Sequence, residues 1–414
     1  MTRPRITTKA LLAAAALASV LAACGGGDSP GATRNDSTAP GTLIQSPPIR
    51  VASLNKADLT AQLGATSDGQ QLLALAGAPA CGIDFHYFQY QTVGAKAEQA
   101  TASGAIMAPT GGAGCSGPRP IVVYTHGTAT SKAFNIANIA DPKNPAWQES
   151  AMVAAFFAAH GYIVVASNYA GYDTSSLGYH PYLNADQQSK DMMDALAAAR
   201  AALPKLLSPV SDNGRLFING YSQGGHVAMA TFRAMLAAGQ TVTAAAGMSG
   251  PYALASFGDA VYYGNVNLGS TIFTPLLINS YQKSYNNIYT NLTDIYEPAY
   301  ATGIDTLVPG PYDFTSVVTS GKVPQTALFS STPPAAPFAG ITPIPGNPLS
   351  ALGFGTSNLI TNAARLAFLL DAQANPDGVV PAQTTGLPPV SPANPMRIAA
   401  KLNDLRNPAW VPNR

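Results

Sequence analysis

Four short apolar stretches, separated by helix-length segments, constrain the fold of this chain more than any other feature. They are residues 119–128 (RPIVVYTHGT), 162–173 (YIVVASNYAGYD), 214–225 (GRLFINGYSQGG) and 242–250 (VTAAAGMSG). None alternates polar with apolar, so each reads as a strand buried on both faces, the habit of parallel sheets. The intervening segments carry helix signals. Asn144 and Pro145 offer a cap and a first position ahead of AMVAAFFAAH, and Gly161 offers a stop. Residues 184–204 place Met192, Leu196, Ala199 and Leu203 on one stripe and end at Pro204. HVAMATFRAMLAAG (226–239) stops at Gly239. Strand–helix alternation of this kind implies parallel strands with right-handed crossovers. Two earlier strands, 82–93 and 98–110, lie too close together for a crossover and are expected to pair antiparallel.

From Pro251 the β–α rhythm ends. Residues 274–300 and 357–375 look helical around a proline-rich stretch, so 251–395 reads as an insertion capping the sheet. Residues 396–410 read as a return helix, and the stretch 396–414 as ending at the threshold of a further strand. The core is then 51–250.

The amino terminus is a targeting signal. Arg3, Arg5 and Lys9 precede an alanine-rich apolar run at 10–22, too short to be a secure membrane span. Leu21-Ala22-Ala23-Cys24 has the form of a bacterial lipobox, which makes 1–24 a lipoprotein signal and Cys24 the lipidation site. The plainer alternative is an ordinary signal peptide cut after A-x-A. Residues 25–50, rich in Ser, Thr, Pro and Gly, read as a flexible linker. The expected location is the bacterial cell envelope with a lipid anchor in the membrane, or secretion without one. In an oxidising compartment Cys81 and Cys115 are expected to pair, the alternative being two buried thiols. With 22 Lys and Arg against 21 Asp and Glu and no basic stripe, nothing points to nucleic acid. No metal-ligand spacing or phosphate-binding glycine loop occurs, so no cofactor or metal is expected.

The chemistry concentrates at Gly220-Tyr221-Ser222-Gln223-Gly224. A serine flanked by glycines, after a buried strand and before a helix, sits on a sharp turn that exposes its hydroxyl. Gly220 and Gly224 then form the elbow, Ser222 is the nucleophile, and the backbone N–H of Gln223 is an oxyanion donor. The loop that ends this strand, THGTATSK (125–132), is expected to supply a second donor, the N–H of Thr128. His126 is read as a brace for that loop and His226 as structural, one helical turn behind Ser222. His180 is the least unsuitable base in the chain; His86 and His160 are further away in the pattern. Asp173, Asp259 and Asp294 are each open as an acid or as solvated or capping carboxylates.

With YTHGT (124–128), SNYAGYD (167–173), NGYSQGGHVAMAT (219–231) and MSGPYAL (248–254) in this order, the chain resembles the α/β-hydrolase superfamily, and within it bacterial secretory lipases and esterases. The resemblance implies an α/β-hydrolase fold, a mostly parallel sheet with helices on both faces, and a mainly helical lid. It also implies Ser222 as nucleophile, Thr128 and Gln223 as oxyanion donors, and a small-molecule or lipid ester as substrate. The family pattern puts the acid after the seventh strand and the histidine after the eighth. Both are expected beyond residue 414, so that this chain by itself is expected to hydrolyse esters poorly. A non-catalytic surface-anchored module and a serine peptidase are the alternative readings.

Overall fold

A seven-stranded sheet organises the molecule. The computed structural model describes residues 33–340, 343, 347–377 and 386–407. In chain order the strands are β1 (Ile49–Leu54), β2 (Gly82–Val93), β3 (Gln99–Thr110), β4 (Gly117–Thr125), β5 (Ile163–Ser167), β6 (Val210–Tyr221) and β7 (Ala244–Met248). In space they run β1-β2-β3-β5-β4-β6-β7. The first three are antiparallel, β3 and β5 are antiparallel, and β5, β4, β6 and β7 are parallel. The four unalternating stretches are the four parallel strands. Ile163 to Ala166 and Ile121 to Tyr124 are buried throughout.

The crossover helices follow from the strand order. The step from β4 to β5 runs one way along the sheet, through α3 (Trp147–Phe156). The steps through α4 (Ala185–Ala202) and α5 (Gln223–Ala237) run the other way. Right-handed connections therefore set α3 on one face and α4 with α5 on the opposite one. Asn184 caps α4 by accepting from the Gln187 N–H. α3 begins at Trp147, two residues later than Asn144-Pro145 suggests, because Asn144 is engaged in the loop before it, donating to the carbonyls of Asn135 and Asn138.

Two sequence expectations are corrected here. The described part of the supposed linker, residues 33–50, is ordered against the core: Leu43 and Ile44 are buried, and Gly41 and Ile44 donate to the carbonyls of Gln91 and Gln89. β1 adds an edge strand; α1 (Lys56–Gly64) and α2 (Ser67–Ala76), capped by Asn55 and Thr66, pack on each other, α1 against β1 and β2 and α2 against α3. The last helix is short, α9 (Pro395–Leu402). Its Met396, Ala399 and Ala400 belong to the apolar core of the cap, and only the turn behind it returns to the sheet. Cys24 and the rest of the signal lie outside the described residues. Cys81 and Cys115 form a disulfide with Cα atoms 5.6 Å apart, joining the start of β2 to the turn before β4.

The cap has a core of its own. It is built on α6 (Leu254–Tyr262), α7 (Ser270–Tyr285), α8 (Asn362–Ala374) and α9, around Leu276, Tyr281, Phe329 and Phe368. Arg397 of α9 is 1 % exposed and bridges Asp259 of α6 at 2.7 Å and Asp371 of α8 at 2.8 Å. At the other edge of the sheet, among the described residues, no strand pairs with the outer side of β7.

Candidate active site

The end of β6 turns into α5 within one residue. Ser222 occupies that turn with φ 58° and ψ −123°, a conformation costly for a residue with a side chain. What holds it there is close backbone contact. A Cβ on Gly220 would overlap the Thr125 hydroxyl, and one on Gly224 would overlap the Thr125 carbonyl at the end of β4. Thr125 in turn donates to the Gly224 carbonyl at 2.6 Å, and the Ser222 N–H donates to Met248 on β7 at 2.9 Å. The ends of three strands thus clamp the turn. Glycines at 220 and 224 are what let the strands approach so closely, which is the physical content of the motif.

The N–H groups of Gln223 and Thr128 meet no acceptor among the described residues, and each of these residues lines a cavity that Ser222 also lines. Gln223 opens α5, and its N–H is one of the donors a helix N-terminus leaves unsatisfied. The Thr128 N–H has no acceptor among the described residues, and the Thr128 hydroxyl meets Tyr182 Oη at 3.0 Å. Thr128 and Ser222 line the same cavity of about 690 Å³, beneath Leu72, Trp147 and Phe273. A second cavity of about 530 Å³ opens from Ser222 under the cap, walled by Leu254, Phe257, Val261, Tyr262 and Leu277. Phe273 of α7 lines both.

No described histidine hydrogen-bonds the Ser222 hydroxyl. His180 is fully buried against Tyr169 and Tyr172; its Nδ1 donates to the Ala170 carbonyl, and its Nε2 accepts the Gln223 side-chain amide at 2.7 Å. Burial pushes its pKa down to about 3. The one in-chain base left open by the sequence is therefore a neutral strut behind Gln223. His226 gives its Nε2 to the Asn403 carbonyl, at the turn where the cap returns, and burial lowers its pKa to about 4. His126 is stacked between Phe134 and Tyr169 with Nδ1 2.6 Å from the Gly127 carbonyl. It braces its loop.

The carboxylates are engaged elsewhere too. Asp173 accepts from Tyr87 and Ser103, Asp259 is held by Arg397, and Asp294 caps a short turn through Thr290 and Asn291. Among the described residues no group of three or more His, Cys, Asp or Glu is placed to hold a metal.

One residue at the site has no sequence signal. Glu149, in the first turn of α3, accepts from Tyr124 Oη at 2.6 Å and from the Gly127 N–H at 3.0 Å, and lines the cavity shared by Thr128 and Ser222. Its partners lie more than twenty positions away, so no local pattern marks it.

Sheet order and elbow together define the α/β-hydrolase fold. The comparisons agree on this class. A model of the prolyl oligopeptidase family matches residues 147–265, which hold the elbow and the strands beside it. The ligand-bound form of the rice cell wall degrading esterase LipA from Xanthomonas oryzae is similar at 27% identity, over 90% of this chain and 81% of that one, with a TM-score of 0.66. A candidate hydrolase from Legionella pneumophila shares the fold at 22% identity, over 68% of this chain and 71% of that one, with a TM-score of 0.56. No curated protein matches the sequence.

Proposed function

We propose that this protein is a carboxylic-ester hydrolase acting through an acyl-enzyme on Ser222. The observation that carries the reading is the strained serine at the meeting point of two largely apolar cavities, which Gln223 and Thr128 also line with N–H groups that meet no described acceptor. The serine oxygen attacks the ester carbonyl while a base takes its proton. The oxyanion is held by the Gln223 and Thr128 N–H groups, and the alkoxide leaves with the proton the base returns. Water then repeats the sequence on the acyl-enzyme. His126, His180 and His226 are committed to other bonds and no described histidine hydrogen-bonds the Ser222 hydroxyl, so none of these three is taken as the base.

Ester rather than peptide is favoured by the apolar walls of the cap cavity and by the likeness to LipA, an esterase, over nine-tenths of the chain. The prolyl oligopeptidase match favours a peptidase, but it spans only the elbow region. The test is capture by a fluorophosphonate, followed by p-nitrophenyl esters set against peptidyl p-nitroanilides. Capture by the wild type and none by Ser222→Ala is expected, with turnover of esters only. Anilide hydrolysis without ester hydrolysis would transfer the protein to the peptidases, and absence of capture would leave a binding module.

We also propose that Cys24 anchors the mature protein to the membrane through its acyl chains, since more than one chain gives stable attachment. Labelled palmitate fed to a bacterial host should enter the wild type and not Cys24→Ala; equal incorporation would end that reading.

A further inference from the structure

We propose that Glu149 is the positioning residue of the oxyanion donor: its carboxylate holds the loop 126–128 so that the Thr128 N–H faces the oxygen on which charge develops. The inference rests on the serine-hydrolase reading of Ser222, and it starts from where the loop's peptide groups are tied.

The peptide joining His126 to Gly127 is held on both sides. Its carbonyl accepts from Tyr169 Oη at 3.0 Å, and its N–H donates to Glu149 Oε1 at 3.0 Å. The next peptide, Gly127 to Thr128, is held by its carbonyl alone, which His126 Nδ1 meets at 2.6 Å. In a planar trans peptide the N–H points opposite to the carbonyl. Tying the Gly127 carbonyl therefore aims the Thr128 N–H the other way, where no described acceptor meets it. The weak point is Gly127. A Cβ there would find only the Tyr221 carbonyl, at 3.7 Å, so what confines this residue is the set of hydrogen bonds to its two peptides. Glycine at this position swivels unless its amide is clamped, and Glu149 is the clamp.

Glu149 is itself fixed. Tyr124, 1 % exposed on β4, donates to the same oxygen at 2.6 Å, and the first turn of α3 favours a negative charge. The chain of contacts thus runs from the central strand through Tyr124 and Glu149 to the loop. The part Glu149 plays is to accept hydrogen bonds rather than to move a proton. Glutamine can do the same, whereas alanine strands both donors.

The experiment compares the full-length wild type with Glu149→Ala, Glu149→Gln and Tyr124→Phe, by the rate of fluorophosphonate capture at Ser222 and by hydrogen exchange of the Gly127 and Thr128 amides. Glu149→Ala should slow capture on the order of 100-fold, the scale of losing one oxyanion donor, and speed exchange at both amides. With p-nitrophenyl acetate the loss should fall on kcat, with KM within about threefold, since the donor acts on the transition state. Glu149→Gln should restore capture to within a few-fold of wild type. If Glu149→Ala does not fold, Tyr124→Phe carries the test, with capture slowed by about tenfold, the scale of one hydrogen bond. Unchanged exchange at Gly127 and Thr128 in Glu149→Ala overturns the proposal, as does a Glu149→Gln protein as impaired as Glu149→Ala. If no variant and no wild type is captured, the serine-hydrolase reading falls instead, and the exchange rates still decide the clamp.

Discussion

At the scale of single residues, the site is made by what Gly224 lacks. Its position leaves no room for a methyl group between the elbow and the carbonyls of Thr125 and His126. Because the obstruction is backbone, it cannot be relieved by a rotamer change. Gly224→Ala should therefore cost about 3 kcal/mol or more, the upper end for overpacking, and should displace Ser222 from its turn. Urea denaturation together with fluorophosphonate capture checks this: near-wild-type stability with near-wild-type capture would show that the turn is not held as described. Gly220, Ser222, Gln223 and Gly224 were legible because the elbow is a local motif whose constraint lies within five residues. Thr128 was legible only through the family pattern. Glu149 was not legible, because its value lies in meeting Tyr124 and Gly127 across the chain. His180 was legible as a residue near the right edge of the sheet, but its partner was not. The geometry gives its Nε2 to Gln223, and nothing in SLGYHPYLN announces that.

At the scale of elements, the parallel strands and their crossover helices were readable because burial on both faces leaves a continuous apolar signature. α1 and α2 escaped the sequence reading. They carry few buried residues, Leu59 and Leu63 in α1 and Gly69 in α2, and so show no strong stripe. They are held by the Asn55 and Thr66 caps, by packing on each other, and by α2 lying beside α3. The cap is the opposite case: its helices were visible, but the interactions tying α6, α8 and α9 together were not. Arg397 carries that tie, with Asp259 and Asp371 on either side and little solvent access. Removing one partner of such a group leaves uncompensated buried charge, which costs about 3–5 kcal/mol. Arg397→Ala should destabilise the cap by that order in urea denaturation. Arg397→Met together with Asp259→Leu and Asp371→Leu should recover much of the loss, because uncharged groups of similar size need no partner. A triple variant no more stable than Arg397→Ala would show that the guanidinium acts through packing over Phe368 rather than through charge.

At the scale of the whole molecule, the buried histidines make folding stability depend on pH, whatever the chemistry at Ser222. Four of the five, His86, His126, His180 and His226, are buried in the neutral form, and burial lowers the pKa of each. The values fall to about 4 for His86, about 3 for His180 and about 4 for His226. In the unfolded chain each takes up a proton near pH 6.5. Between that pH and about 4 the unfolded state therefore holds more protons than the folded one, so stability falls as pH falls. Two groups oppose this. Burial raises the Asp191 carboxyl to about 6, despite its bonds from Tyr90 and the Ala170 N–H, and the Asp259 carboxyl to about 6, despite Arg397, so between about 6 and 4 each takes a proton in the fold that the unfolded chain does not. The three histidines with folded values of about 3 to 4, set against these two carboxyls, leave a net excess of roughly one proton on the unfolded chain at pH 5, with His126 adding in the same direction, or on the order of 1–3 kcal/mol lost per pH unit. Urea midpoints should change little from pH 8 to 7 and then drop steeply from pH 6 to 5. His226→Gln, which keeps a donor for the Asn403 carbonyl, should flatten that drop by about one proton. A flat profile between pH 7 and 5 would mean that these rings charge within the fold, and would remove the case for His180 as a neutral acceptor behind Gln223.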